Sequence, residues 1–203
     1  MDFESAKKII DDVYSKIDGY STSFKVRKKI SYTDKTLTYG EILLDSFFNI
    51  LKSVEPKENE VFYDLGSGVG KAVFAAHMLF PIKKSVGIEL IPDIYLEAIK
   101  TVNNFKEKYH KQLFNINEKR KIDFINKNIF DADFSDGDVI FFHATCFPDQ
   151  LMVPVSKKIG SVKSGSRVII ITRCLYSDKF ILQRSETHQM GWGQALVNYY
   201  IKK

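Results

Sequence analysis

The feature that most constrains this chain is Val61-Phe62-Tyr63-Asp64-Leu65-Gly66-Ser67-Gly68-Val69-Gly70, followed further on by Val86-Gly87-Ile88-Glu89-Leu90. Val61 to Leu65 reads as a buried strand running into a glycine turn, and Ala72 to Phe80 as an apolar helix that Pro81 closes. The second piece reads as the next parallel strand, tipped by a carboxylate. A strand, a glycine-rich turn, a helix and an acid-tipped strand make a nucleotide-binding half-unit. Glycines let the backbone approach a ligand closely, and an acid such as Glu89 can accept both hydroxyl protons of a ribose.

Spacing decides between nucleotides. A dinucleotide fingerprint needs G-x-G-x-x-G. Gly66 and Gly68 fit, but the sixth position is Lys71 and the third glycine comes early, at Gly70. A P-loop would need G-x-x-x-x-G-K-[ST], and Gly66 to Lys71 followed by Ala72 does not supply it. The pattern D-L-G-S-G-x-G instead resembles the S-adenosylmethionine-dependent methyltransferases of Rossmann-like fold. In these the loop holds the methionine part and the ribose, with no phosphate to bind. The resemblance implies S-adenosyl-L-methionine as cofactor and S-adenosyl-L-homocysteine as product. The competing reading is a structural glycine turn in another α/β domain.

A chain of 203 residues is most simply one domain with a substantial core. Hydrophobic residues at 44% and aromatics at 13% argue for a folded globule. Charged residues make up 27%, and no apolar run approaches the ~20 residues of a membrane span. The start, Met1-Asp2-Phe3-Glu4, lacks a signal-peptide pattern. Two cysteines, Cys146 and Cys174, are too few for a disulfide framework. Together these suggest an intracellular protein of nucleus or cytoplasm. The four histidines have no zinc-ligand spacing, so no metal is expected. A net charge of +5 and pI near 9.0 mildly favour an acidic partner such as nucleic acid or a nucleosome surface. Lysine-rich intracellular proteins reach the same values without such a partner.

Along the chain, residues 3–17 have helical periodicity, with Gly19 as a stop. The basic run Lys25-Val26-Arg27-Lys28-Lys29 reads as a solvated face or as a contact to a partner's phosphates. Tyr32 to Glu41 is turn-like and leads into a helix from Ile42 to Leu51, a loop and helix that can fold over the cofactor. The expected division is 1–40, a helical segment with the covering loop, and 41–203, the catalytic domain. Asp93 to Tyr109 reads as a long helix, and Lys121 to Ile129 as a third strand. A fourth strand, Val139 to Phe142, opens at its tip into His143-Ala144-Thr145-Cys146-Phe147-Pro148. Helix follows to about Ile159, then a fifth strand from Arg167 to Arg173. Phe180 to Ile201 reads as two antiparallel strands joined through Met190-Gly191-Trp192-Gly193, a hairpin at the sheet edge. The expected fold is therefore α/β: a mostly parallel, doubly wound sheet of class I methyltransferase type with a C-terminal antiparallel hairpin.

Tyr39-Gly40-Glu41, the Asp64–Gly70 motif, Val139-Ile140-Phe141 with Phe147 downstream, and Trp192 with Val197-Asn198-Tyr199-Tyr200 occur in one order and spacing. That arrangement resembles the non-SET histone-lysine methyltransferases, the disruptor of telomeric silencing family, over Tyr32 to Ile201. The resemblance implies that Tyr39 and Glu41 cover the cofactor and that Asp64, Gly66, Ser67, Gly68 and Gly70 hold its methionine part. It implies that Glu89 binds the ribose hydroxyls and that Asn128 with Ile129 frames the adenine. Phe147, Trp192 and Tyr199 would line the channel for a lysine of a protein substrate, which the resemblance implies is histone or nucleosome. Lys71 stands where the family has glutamine, and Asn128 where it has aspartate. His143 replaces an asparagine that faces the reaction centre, and the chain stops at Lys203 without a long basic tail.

Methyl transfer to an amine needs a neutral nucleophile, and a free lysine has a pKa near ~10.4. Burial in an aromatic channel lowers it by up to ~3–5 units. His143 reads as a proton acceptor, a hydrogen-bonding positioner or a histidine satisfied by backbone groups. Two further functions stand beside protein-lysine methylation. One is methyl transfer to RNA or a small amine; the other is a catalytically degenerate partner module.

Overall fold

The computed structural model describes residues 2–29, 40, 42–110 and 119–203. Tyr39 and Glu41, expected to cover the cofactor, lie outside the described residues, as does most of the Tyr32–Glu41 stretch. Seven strands form one sheet: β1 (Val61–Leu65), β2 (Lys84–Glu89), β3 (Lys121–Asn126), β4 (Val139–His143), β5 (Arg167–Ile171), β6 (Phe180–Met190) and β7 (Gly193–Lys202). Their order is β3-β2-β1-β4-β5-β7-β6, with β1 to β5 parallel and β7 antiparallel to both β5 and β6. The central strands β1, β4 and β5 read as near-continuous apolar runs because both faces are covered, whereas β3, at the sheet edge, is largely unburied. The helices are α1 (Phe3–Tyr14), α2 (Gly19–Lys29), α3 (Leu44–Lys52), α4 (Lys71–Leu79), α5 (Pro92–Phe105) and α6 (Asp149–Ile159).

The period of two along each strand separates two cores. One face carries Phe62, Phe141, Ile169, Val197 and Tyr199 under α1, α3, α4 and α5. There Phe47 of α3 meets Phe141 edge-on at 5.3 Å and Phe62 at 6.2 Å, and Phe74 meets Phe105 at 4.6 Å. Each such pair is worth about 0.5–1.5 kcal/mol beyond the area it buries. The other face carries Tyr63, Leu65, Ile88, Ile140, Phe142 and Ile170 under α6 and Phe134. Helix α1 belongs to the first core: Ala6 and Ile10 are fully buried in the cluster that holds α4.

Several element ends differ from the sequence reading, for local reasons. Gly19 does not stop a helix. Helix α1 ends at Tyr14, and Gly19 opens α2, because Asp18 accepts hydrogen bonds from Ser21 N at 2.9 Å and Ser21 Oγ at 2.6 Å. The basic run therefore lies on a helix. Strand β3 stops at Asn126 rather than Ile129, because the Asn126 amide donates to the Glu89 and Leu90 carbonyls at 2.8 and 3.1 Å. Helix α5 passes into a π-helical turn, Lys106–His110, whose Lys108 and Tyr109 reach Asp12 of α1, each at 2.6 Å.

The glycine turn is fixed from behind. A Cβ on Gly87 of β2 would lie 2.5 Å from both the Phe124 ring and Ser67 Oγ. One on Gly70, at φ +85°, would lie 2.3 Å from the same ring. Phe124 of β3 thus fills the space that both glycines leave, and presses the turn against β2. We expect Gly87→Ala to destabilise the protein by about 1–3 kcal/mol, the usual cost of overpacking. Urea denaturation reads this, and adding Phe124→Leu should recover part of the loss.

Candidate functional site

In an open α/β sheet the ligand crevice lies beyond the carboxyl ends of the strands, where the strand order reverses. Here that point is between β1 and β4. A cavity of about 360 Å³ opens there, within the ~300–1,000 Å³ usual for small-molecule sites. Its wall includes Asp64, Gly66, Ser67 and Gly68 from the β1 turn, Glu89 from β2, Asn128 and Ile129 from the loop after β3, and His143 and Phe147 after β4.

Asp64 and Glu89 are buried, at 4% and 7% exposure. Their environments differ. Glu89 accepts hydrogen bonds from Gly68 N at 2.9 Å and Ile91 N at 2.8 Å. Its pKa is nevertheless raised, by burial, with those amides opposing. Asp64 has no hydrogen-bond donor among the described residues. Burial first, and the Glu89 charge second, push it up to about 8. Ser67 Oγ is likewise buried with no partner among the described residues. The turn places Gly66 at φ +80°, with open space where a side chain would be. Gly66 N and Ser67 N donate back to the Ile88 carbonyl at 2.8 and 3.0 Å, which ties the turn to β2.

Asn128 Oδ1 accepts from Phe130 N at 3.1 Å, which shapes the loop around the far end of the cavity. Leu90 and Phe130 line that end, although both are substantially exposed large apolar residues. The loop Asn128 to Phe130 was legible from the sequence as part of the crevice, but Leu90 was not, and its signal was slight: an apolar residue directly after the acid. The sequence also held no pointer to Ile91, Ile94 and Leu151, whose roles depend on how α5 and α6 fold back over the strand tips.

The expected channel residues separate. Phe147 lines the cavity and meets Phe142 edge-on at 4.8 Å. Trp192, at 42% exposure in the β6–β7 turn, lies against the His143 ring at 4.7 Å and beside Gly40. Tyr199 is elsewhere. It is 2% exposed within the sheet core, its hydroxyl lies 3.0 Å from His188 Nε2, and Arg184 lies over its ring at 4.0 Å. Gly70 is also off the cavity wall, occupied with Phe124 and Ala98. Burial holds the His143 ring down at about 4, so it is neutral across the physiological range.

These groups fit a cationic nucleoside that carries an amino-acid end. A carboxylate without a donor suits an ammonium, an amide-bound carboxylate with spare lone pairs suits ribose hydroxyls, and the apolar end suits a base. The chain matches the family described as histone methylation protein DOT1 over residues 20–202. It is 26% identical to the H3 lysine-79-specific histone-lysine N-methyltransferase of Debaryomyces hansenii, across 96% of this chain and 18% of that protein. Its identity to the protein of the same description from Kluyveromyces lactis is 30%, across 74% of this chain and 26% of that protein. The chain thus spans about a quarter or less of these relatives. In fold it is similar to a Pyrococcus horikoshii protein proposed to be an RNA methyltransferase, with TM-score 0.63, 14% identity and coverage of 98% and 99%.

The sign of the pH dependence follows from the two shifts. Asp64 takes a proton more readily folded than unfolded, so its own contribution to the stability of the ligand-free protein is greatest below about pH 4 and is lost as pH rises through 8. His143 acts oppositely, weakening the fold as pH falls from about 6.5 to 4. Asp64→Asn should remove the alkaline loss and stabilise the ligand-free protein at pH 8, on the order of a few kcal/mol. Urea denaturation at pH 5 and pH 8 measures both limbs.

Proposed function

The chain belongs to the DOT1 histone methylation family, and from that membership we propose that it is an S-adenosylmethionine-dependent methyltransferase acting on a protein lysine, with histone as the leading substrate. The observation that carries this reading is the buried pair at the strand tips: Glu89 with two backbone donors and Asp64 with none among the described residues. When bound, the cofactor supplies an electrophilic methyl group on a sulfonium. Asp64 and Gly66 to Gly68 would hold its methionine part, Asp64 taking the ammonium. Glu89 would take the ribose hydroxyls. Ile129 and Asn128, joined by Leu90 and Phe130, would frame the adenine.

His143, Phe147 and Trp192 would form the side where the amine enters. Their apolar surroundings disfavour an ammonium, which lowers the lysine pKa toward neutrality. Holding the amine in line with the methyl group removes roughly 7–11 kcal/mol of barrier. A neutral imidazole can accept an N–H without adding a second positive charge beside a sulfonium. Tyr199 has no contact with substrate in this reading. The site of action would be intracellular, in nucleus or cytoplasm, and among the described residues no helix is long and apolar enough to cross a membrane. The exposed Lys25 and Lys28 of α2 and the net charge of +5 suit an acidic partner.

Methyl-labelled cofactor offered with nucleosomes, free histones and total RNA tests the substrate class. Label on histone lysine is expected; label confined to RNA, or none anywhere, overturns the protein-lysine reading. Cofactor binding is tested separately by calorimetry. Glu89→Ala removes a charged partner of two hydroxyls and should weaken binding roughly 10- to 100-fold. Unchanged affinity would remove Glu89 from the site.

A further inference from the structure

Strands β4 and β5 end side by side, with His143 opposite Ile171 in the parallel register. Just beyond, their tips bring two hydroxyls together: Thr145 Oγ1 lies 2.9 Å from Thr172 Oγ1. Thr145 Oγ1 also lies 3.4 Å from His143 Nε2, a long contact of the kind that tightens in a loaded site. His143 Nδ1 has no hydrogen-bond partner among the described residues. Thr172 itself is exposed to solvent. Its backbone stands at φ +72°, a left-handed conformation that a β-branched residue rarely adopts. The Thr172 N–H, donating to the Leu196 carbonyl at 2.7 Å, helps hold it there. Strain kept at a strand tip beside a cavity points to a role for the side chain.

We propose that Thr145 and Thr172 form a hydroxyl relay that carries a proton from the substrate ammonium, taken up at His143 Nδ1, out of the cavity to water. The inference rests on the lysine-methylation reading. Burial opposes an imidazolium here, so the ring cannot store the proton and must pass it on. In the resting arrangement His143 Nε2–H donates to Thr145, Thr145 to Thr172, and Thr172 to solvent. The ammonium N–H bond breaks as a bond forms at Nδ1. In the same movement the Nε2 proton passes to Thr145, that of Thr145 to Thr172, and that of Thr172 to a water molecule. The amine keeps the electron pair, which then forms the bond to the methyl carbon as the carbon–sulfur bond breaks and its electrons stay on sulfur. The ring is left as its other neutral tautomer. It resets once the product has left and bulk water enters the cavity: Nδ1 then gives its proton to that water as Nε2 regains one through the hydroxyls.

The other titratable groups around this ring line the same cavity: Asp64 of β1, Glu89 of β2, Lys71 of α4 and Cys146 beyond β4. Arg173, next to Thr172, is paired with Asp149 of α6 at 2.8 Å. None of them offers the hydroxyl-to-hydroxyl path that Thr145 and Thr172 make. Both threonines are positioning residues, acting through His143.

Thr172→Val keeps the β-branched shape and deletes the hydroxyl. The expected result is a kcat lower by roughly 10- to 100-fold at pH 7, with KM little changed. The deficit should shrink steadily as pH rises toward and past ~10.4, where a growing share of the amine arrives already neutral. Thr172→Ser should restore the rate. A deficit equal at every pH, or no deficit, overturns the relay. Nitrogen-15 spectra of His143 give a readout that needs no substrate. The Nε2–H tautomer is expected, with its preference lost in Thr145→Val; a resting Nδ1–H tautomer overturns the proposal. Should the wild type methylate no lysine, the lysine reading fails and the tautomer alone decides: Nε2–H keeps the relay for whatever amine enters, and Nδ1–H ends it.

Discussion

Asp64 and Glu89 lie out of water at the ends of adjacent strands, and the charge of Glu89 adds to burial in making ionisation of Asp64 harder. The backbone amides of Gly68 and Ile91 relieve Glu89 alone. Asp64 is left as a buried acid that stays protonated until a cation or donor reaches it. A fold tolerates such a group only where the surrounding core is strong enough to carry the cost. The two apolar layers on the faces of β1 to β5 provide that strength. In the proposed site, what the ligand-free protein loses in stability would return as selectivity for a ligand that brings positive charge to β1.

The position of both carboxyls depends on packing behind the site. Phe124 occupies the volume that Gly70 and Gly87 leave vacant, and Ser67 Oγ sits over Gly87. The turn is thereby held against β2 closely enough for Gly68 N to reach Glu89. The third glycine of the motif thus acts through an aromatic ring on β3, two strands away in the sheet order, and stands off the cavity wall. A motif that reads as ligand contact is in part a packing device.

At the other side of the cavity, two aromatic residues near the C-terminal hairpin part company. Trp192, in the turn, reaches across to His143 and Gly40. Tyr199, in the middle of β7, faces the sheet core with its hydroxyl on His188 and Arg184 over its ring. Six residues of turn and strand separate a position at the cavity rim from one that braces the hairpin against α3. The network continues from Arg184 to Ser53 at the end of α3, so the hairpin that presents Trp192 is tied to the rest of the domain.

The sequence alone determined the sheet, its alternation with helices and the acid-tipped strands. Val61–Leu65, Arg167–Ile171 and the hairpin are long apolar or alternating runs bounded by glycine, and that signal is local. The pairing of Asp64 with Glu89 at one cavity was legible for the same reason, since both end apolar strands. Helix ends were less legible: Asp18 with Ser21 overrode Gly19, and the Asn126 amide ended β3 early, through single hydrogen bonds that no periodicity records. Only the tertiary structure decided that Tyr199 faces the core, that Gly70 serves Phe124, and that Thr145 and Thr172 meet beside His143. Each depends on strand register and on the order β1-β4-β5-β7, which bring together residues far apart in the chain. Pattern along a chain fixes which face a residue takes; the register between strands fixes which neighbour it finds there.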